Sequence, residues 1–261
     1  MCRMTLVAAT VLAVAFAAPA VAAAPEVAAA TAPAKATAQQ RAEIARMDPL
    51  TRAAFWTNQA QIDPRDPSAG LGLAQALRDL GRYEEAAQAA EAILVIAPDN
   101  LDALLEAARA HLGRGQGFYA IESLNRAIGQ APKDWRPVSL LAIAYEQTSR
   151  DPEALASHRA AVALAPDAPG ALTNLALYLA GHDDLTGAET LLRRAAGLPG
   201  AGAQVRQNLA MVLGLAGKLA EAESLVRRDL PPEQANANLA LLRGAAKTAG
   251  PNRSWEAMRA Q

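Results

Sequence analysis

Cysteine is nearly absent from this chain of 261 residues. The single thiol, Cys2, stands ahead of the first hydrophobic run, so an exported chain that had lost this segment would contain no cysteine. One residue can form neither a disulfide framework nor a cysteine metal site. Aromatic residues make up only 4% of the chain, whereas a sheet-based fold would need aromatic and β-branched runs. We therefore expect an all-α protein.

An excess of charge of either sign is also missing. The formal net charge is -1, and a chain this close to neutral lacks the basic stripe on which nucleic-acid binding depends. We predict no nucleic-acid partner and no small-molecule substrate.

Residue patterns typical of catalysis or cofactor binding are missing as well. The sequence contains no GxSxG elbow, no P-loop and no dinucleotide fingerprint. His111, His158 and His182 fall at different places in the repeat described below, and no cysteine or pair of acids stands at ligand spacing from them. We predict a protein that is not an enzyme and that uses neither a metal nor a cofactor.

What the chain does contain is a repeat of 34 residues. Between Pro67 and Asn100, small and apolar residues recur at helical spacing on both sides of a break at Gly81, which predicts a helix, a tight turn and a second helix. Neither helix can bury its apolar face alone, so the unit must stack on copies of itself. Two alanine registers run through five copies: Ala74, Ala108, Ala142, Ala176 and Ala210 in the first, and Ala86, Ala120, Ala154, Ala188 and Ala222 in the second.

This pattern resembles the tetratricopeptide repeat, a helix pair with a small residue at its eighth and twentieth positions and a proline near its end. Alanine at those positions lets helix A approach helix B closely. A proline such as Pro98 ends helix B. The resemblance implies a right-handed α-solenoid with terminal capping helices. We assign five units, at 67–100, 101–134, 135–168, 169–202 and 203–230.

Polar residues just ahead of the predicted helices are expected to cap them. Asp66, Asn100 and Asp134 precede three A helices, and Asp151 followed by Pro152 stands where a B helix should begin. A side-chain oxygen at this position accepts a hydrogen bond from an otherwise unpaired amide of the first helical turn.

The segments outside the repeats have other predicted roles. Residues 1–24 have the pattern of a secretory signal peptide, with an uncleaved membrane anchor as the alternative, although the apolar run is too short to span a bilayer comfortably. We expect an exported, periplasmic protein that reaches a membrane only through a partner, because no lipid-acceptor cysteine follows the apolar run. The other segments are a flexible Ala/Pro-rich spacer at 25–38, a degenerate N-terminal half-repeat or cap at 39–66 containing Trp56, a C-terminal capping helix at 231–248 and a polar tail at 249–261.

The resemblance also implies a binding surface. In the tetratricopeptide family the A helices line a concave groove, and ligands commonly touch the second, fifth, ninth and twelfth positions of each repeat. The groove would suit an extended or helical peptide with apolar anchors beside charges; the alternative is that these residues only pack against neighbouring A helices. The matching residues are Leu71, Gln75, Arg78, Asp102, Leu105, Arg109, Leu112, Arg136, Ser139, Ile143, Glu146, Thr173, Leu177, Gln207 and Met211.

Two stretches, 70–100 and 207–239, resemble more closely the TadD family, the tetratricopeptide component of the tight-adherence (Flp) pilus assembly machinery. That resemblance implies a non-enzymatic adaptor in the cell envelope, whose protein partners are pilus-assembly components. A general envelope adaptor in outer-membrane or cell-wall biogenesis is the alternative.

Overall fold

The computed structural model describes residues 34–248, in which thirteen α-helices and no strands are found. The helices are α1 (Ala38–Ile44), α2 (Pro49–Ile62), α3 (Pro67–Asp79), α4 (Tyr83–Ile96), α5 (Leu101–Gly113), α6 (Gly117–Gln130), α7 (Trp135–Gln147), α8 (Asp151–Leu164), α9 (Pro169–Gly181), α10 (Leu185–Gly197), α11 (Ala203–Leu215), α12 (Leu219–Asp229) and α13 (Pro232–Thr248). The predicted signal peptide, most of the spacer and the polar tail lie outside the described residues.

Helices α3 to α12 form five consecutive pairs, each with an A helix (α3, α5, α7, α9, α11) and a B helix (α4, α6, α8, α10, α12). One turn residue in each pair has a positive φ. These residues are 34 positions apart: Gly81 (73°), Gly115 (70°), Ser149 (57°), Asp183 (65°) and Gly217 (77°). The amide after each of them donates to a carbonyl five residues earlier, at 2.8 to 2.9 Å. This is the Schellman arrangement, which satisfies the last carbonyls of the A helix.

The two alanine registers lie in the contacts between helices, as predicted. None of the ten alanines is more than 1% exposed. A methyl group fills these positions without separating the helix axes, whereas a larger side chain would have to displace a neighbouring helix. The all-α helical-repeat solenoid is therefore confirmed, and its core is a series of close helix contacts that runs along the stack.

The A helices form the inner layer of the stack. Each A helix packs against the next A helix as well as against both neighbouring B helices, but successive B helices do not pack against each other to a comparable extent. The layer whose members are closer together is on the inside of the curve. The A helices therefore line the concave face.

The N-terminal end of the stack is closed by α2. Trp56 is 8% exposed and lies flat against the backbone of α3 at Gly72, where an added Cβ would come within 2.4 Å of the indole Cε2. Gln59 is also buried, and its Oε1 accepts a hydrogen bond of 2.7 Å from the amide of Ala36. Trp56 therefore packs inside the stack and is not available to a ligand.

The C-terminal end of the stack is covered by α13, which packs on α11 and α12. Ala235, Leu239 and Leu242 are buried in this contact, and Leu241 on the same helix remains 54% exposed. Among the described residues, no helix combines the length and apolar character that crossing a membrane would require.

Three of the four predicted caps are confirmed. The side chains of Asp66, Asn100 and Asp134 accept hydrogen bonds from first-turn amides of α3, α5 and α7. The prediction for Asp151 is wrong, because the helix already begins there and the preceding Arg150 makes no side-chain cap hydrogen bond. The residue between the left-handed Ser149 and the start of α8 is Arg150, whose guanidinium carries only donors and cannot accept a hydrogen bond from a first-turn amide.

Candidate protein-binding groove

All fifteen residues predicted to line the groove lie on the A helices. Eleven of them keep side-chain surface on the concave layer, with Asp102 and Arg136 the most exposed. Four are buried: Leu105, Leu112, Ser139 and Thr173.

Burial of the fifth repeat position corrects part of the prediction. Leu105, Ser139 and Thr173 occupy this position in units two, three and four, and none is more than 7% exposed. Each lies on an A helix that has another A helix on either side, so its side chain is enclosed between helices. The amide Nδ2 of Asn174, for example, donates to Oγ of Ser139 at 2.8 Å. These three residues belong to the stack and not to an open groove.

A cleft of about 460 Å³ opens on the concave layer where α3, α5 and α7 meet. Four predicted residues are brought together here, and Leu112 forms part of the lining despite its burial. We call this the arginine cleft. It is lined by Arg78, Asp79, Tyr83, Arg109, Leu112, Gly113, Leu140, Ile143 and Gln147.

A buried carboxylate holds the two arginines of this cleft. Glu106 is 3% exposed, and its Oε2 accepts a hydrogen bond of 2.9 Å from Nε of Arg78. Its Oε1 accepts from Nη1 of Arg109, one helical turn further along α5. Arg78 also pairs with Asp79 at 3.0 Å, and Asp79 pairs with Arg52 of α2 at 2.8 Å. The charged groups therefore form a continuous chain across α2, α3 and α5.

Arg136, at the start of α7, is paired separately. Its Nε lies 3.0 and 2.9 Å from the two carboxylate oxygens of Asp134. This hydrogen bonding lowers the pKa of Asp134 below its ordinary value and raises that of Arg136. The same aspartate caps α7, so the arginine is fixed close to its own helix terminus.

A second cleft, of about 220 Å³, lies at the C-terminal end, between α11 and α13. It brings together the predicted residues Gln207 and Met211. We call it the terminal cleft. Its lining is neutral: Gln207, Asn208, Ala210, Met211, Val226, Asn238, Leu241 and Leu242.

The remaining predicted residues do not line either cleft. Glu146 is tied to the neighbouring B helix, because its Oε1 lies 2.7 Å from Nε2 of the buried His158. The other predicted residues that line neither cleft are Leu71, Gln75, Asp102, Arg136 and Leu177.

In the part of the chain that the structure describes, no three histidine, cysteine or acidic side chains are grouped so that they could hold a metal ion.

Sequence reasoning missed Glu106, the residue that organises the arginine cleft. It stands at the sixth repeat position, which was not among those carried over from the family. A signal was present, since Glu106 is flanked on both sides by apolar residues of a predicted helix and lies three residues before Arg109. An acid in such a setting is enclosed, and an enclosed acid requires a cationic partner.

Comparison with known proteins agrees with this architecture. Profiles described as tetratricopeptide repeat match residues 41–101 and 77–142. No protein of curated function matches the sequence significantly. The chain thus carries tetratricopeptide repeats, a class of module that generally serves as a non-enzymatic scaffold for protein partners.

Several solved structures share the fold. A thermophilic TPR protein of Thermus thermophilus is 23% identical, with a TM-score of 0.62 over 68% of this chain and 98% of that one. A tetratricopeptide repeat protein of Parabacteroides merdae is 12% identical, with a TM-score of 0.65 over 78% of this chain and 79% of that one. MamA of Desulfovibrio magneticus is 23% identical, with a TM-score of 0.51 over 60% of this chain and 88% of that one. Identities this low show the fold alone, and the resemblance to the pilus-assembly family stays a prediction.

Proposed function

We propose that this chain is a periplasmic, non-enzymatic scaffold that binds a segment of a partner protein along its A helices during assembly and secretion of tight-adherence (Flp) pili. The observation that carries the proposal is the concave layer itself. Its two clefts are lined by arginine, isoleucine, methionine and amide side chains that are only partly covered by helix stacking. Apolar contacts next to fixed charges are the usual means of recognising a peptide segment.

The pilus assignment and the location have separate support. The location is supported by the signal-peptide pattern of residues 1–24. The pilus assignment is supported by the resemblance of residues 70–100 and 207–239 to the TadD family. A tetratricopeptide scaffold with these features could also serve outer-membrane or cell-wall biogenesis. The identity of the partner distinguishes the two functions.

Site-specific crosslinking in cells tests both the surface and the partner. A photoreactive residue at Ile143 would stand in the arginine cleft, and the same residue at Val95, which is 83% exposed on a B helix, provides the matched control. We expect Ile143 to capture a pilus-assembly component and Val95 not to capture it. Capture of cell-wall synthases at Ile143 would replace the pilus assignment with the envelope alternative. Equal capture at both positions would contradict binding in the groove.

Complementation of a gene deletion tests the pilus role directly. We expect the deletion to abolish surface pili and Ile143→Asp to fail to restore them, since a charge is placed on the apolar wall of the cleft. Ala163→Asp, at an exposed position of α8, should restore them. Normal pili in the deletion strain would remove the pilus proposal.

A further inference from the structure

The arginine cleft belongs to a connected group of five charged side chains. Arg52, Arg78 and Arg109 supply three guanidinium groups, and Asp79 and Glu106 supply two carboxylates to pair with them. Arg52 does not line the cleft, so within the cleft two arginines stand against two carboxylates. A carboxylate ligand would therefore be recognised by unused guanidinium donors and not by an excess of charge.

Arg78 and Arg109 keep unused donors at the cleft. Glu106 and Asp79 engage Nε and Nη1 of Arg78 and only Nη1 of Arg109. Among the described residues, no side-chain hydrogen bond uses Nη2 of Arg78 or the Nε and Nη2 of Arg109, and both side chains are 31% exposed. Because Glu106 already fixes these side chains from beneath, a ligand would lose little affinity to the entropy of ordering them.

The opposite wall of the cleft is apolar. Leu140 and Ile143, one turn apart on α7, are half-buried, and Leu112 closes the lining beside them. A side chain that packed on these residues would lie next to the arginines. The cleft therefore offers an aliphatic contact adjacent to a carboxylate contact.

We propose that the arginine cleft binds the side-chain carboxylate of an aspartate or glutamate within the partner segment, with an adjacent aliphatic residue packed on Leu140 and Ile143. This inference rests on the proposed function and names the chemistry of the partner. We place the acid within the segment and not at its end, because half-buried side chains of the A layer also lie away from the cleft, nearer the start of α3 and on α9. Leu71 and Gln75 lie on α3, and Leu177 lies on α9.

The preference for an acid is local. Arg136 on α7 is paired with Asp134 and is also influenced by the carboxylate of Asp102, so these three side chains have one negative charge in excess, and Asp134 is influenced in turn by Arg109. An acidic residue is therefore favoured at the arginine cleft only, and a uniformly acidic segment gains nothing further along the groove.

A peptide library tests the inference on the full chain. The probe is a set of random, unstructured peptides with both ends blocked, selected for binding to the wild-type protein. We expect the selected peptides to contain Asp or Glu next to Leu, Ile or Val. Replacement of that acid by its amide should weaken binding about tenfold, which corresponds to one charge-assisted hydrogen-bonded contact.

A matched pair of variants assigns this preference to the cleft. In Arg109→Gln the acid and amide peptides should bind with nearly equal affinity, whereas Arg126→Gln, at a half-buried arginine on the B helix α6, should keep the tenfold difference. If Arg109→Gln is poorly folded, the wild-type protein supplies a second measurement. Raising the salt concentration should lower the affinity of the acidic peptide and leave the affinity of its amide counterpart nearly unchanged.

The outcomes separate this inference from the proposed function. Selected peptides that compete for the groove but show no preference for an acid would overturn the inference and leave the scaffold function standing. Selection that succeeds only with free carboxyl termini would overturn it as well. If no peptide were selected, both the inference and the binding of peptide segments in the groove would be contradicted.

Discussion

The two clefts of the concave layer differ in how their side chains are held. In the arginine cleft, Arg78 and Arg109 are fixed by the buried carboxylate of Glu106. The terminal cleft has no charged lining residue, and its apolar part includes the flexible Met211 and the exposed Leu241. A ligand would meet a preorganised charged site at the first cleft and an adaptable apolar site at the second. One repeated scaffold thus carries two clefts of different chemical character.

The largest effect is expected at Ala142, on the central helix α7 and within the helix contacts that connect the two clefts. Ala142→Leu adds three carbon atoms where no space exists, and should lower the free energy of unfolding by about 3 kcal/mol. Because repeats are stabilised by their neighbours, chemical denaturation should also become less cooperative. Ala163→Leu, at an exposed position of α8, is the control. Equal stability of the two variants would contradict the close packing of α7.

The next effect concerns the buried carboxylate of Glu106, which holds the arginine cleft and has no counterpart in the terminal cleft. Glu106→Gln keeps the volume but removes the carboxylate shared by Arg78 and Arg109, and we expect a loss of about 2 kcal/mol in unfolding free energy. Glu153→Gln breaks an exposed pair with Arg150 and should leave stability unchanged. Thermal denaturation at low salt measures both. An unchanged stability of Glu106→Gln would mean that the carboxylate of Glu106 does not hold the two arginines in place.

Substitutions at two glycines, one near each end of the stack, test how rigid the surrounding packing is. A Cβ at Gly72 would lie 2.4 Å from the ring of Trp56, whereas a Cβ at Gly214 would lie 2.9 Å from the terminal Cδ2 of Leu242. The indole cannot deform but the leucine can rotate, so Gly72→Ala should cost about 1 to 2 kcal/mol. In Gly214→Ala the helix propensity gained should offset the contact. Urea denaturation of the two variants would refute the comparison if their order were reversed.

The left-handed turns give a smaller and stabilising effect. Ser149 has a φ of 57°, which glycine adopts without strain. Ser149→Gly should therefore raise the free energy of unfolding by about 1 kcal/mol. Gly81→Ala, at the same position of unit one and with nothing within 4 Å of an added Cβ, should lower it by a similar amount. A shift of the same sign in both variants would exclude the backbone explanation.

The smallest effect concerns pH at the C-terminal end. The two carboxylate oxygens of Asp229 accept hydrogen bonds of 2.7 and 2.8 Å from Arg206, which lowers the pKa of Asp229 below its ordinary value of 3.8. Since the folded state binds this proton less readily, the contribution to stability is present above the ordinary pKa and is lost as the pH falls through the lowered one. The melting temperatures of the wild type and Asp229→Asn should differ at pH 7 and converge in acid. A constant difference would contradict this assignment.

The repeat architecture could be predicted because packing imposes it directly on the sequence. Small residues are required where two helices touch, so Ala108 and Ala120 recur in register with their counterparts in other units. The left-handed turn position leaves a weaker trace. Glycine occupies it at Gly81, Gly115 and Gly217, but serine and aspartate take its place in units three and four. A left-handed turn position is harder to recognise from the sequence than a close helix contact, because residues other than glycine can adopt a positive φ with some strain.

The surface of the groove was less predictable, because exposure depends on the spacing of helices that lie apart in sequence. The family positions include Arg78, Arg109 and Ile143, which the structure brings together in the arginine cleft. They failed at Leu105 and Ser139, which are covered where an A helix has a neighbour on both sides. The equivalent Leu71 and Gln207, in the first and last units, keep some exposure. The sequence gives the position of each residue in the repeat, but it does not give the spacing between neighbouring A helices that decides whether the residue is exposed.

The even spacing of the left-handed turns bears on how such a chain can diversify. Excision of 101–134 would join Asn100 to Trp135 and leave the turn spacing and the alanine registers of the remaining units in phase. The same excision would remove Glu106 and Arg109 together. Gain or loss of a whole unit would thus change the charged lining of the groove in one step, while the remaining units would stay in register.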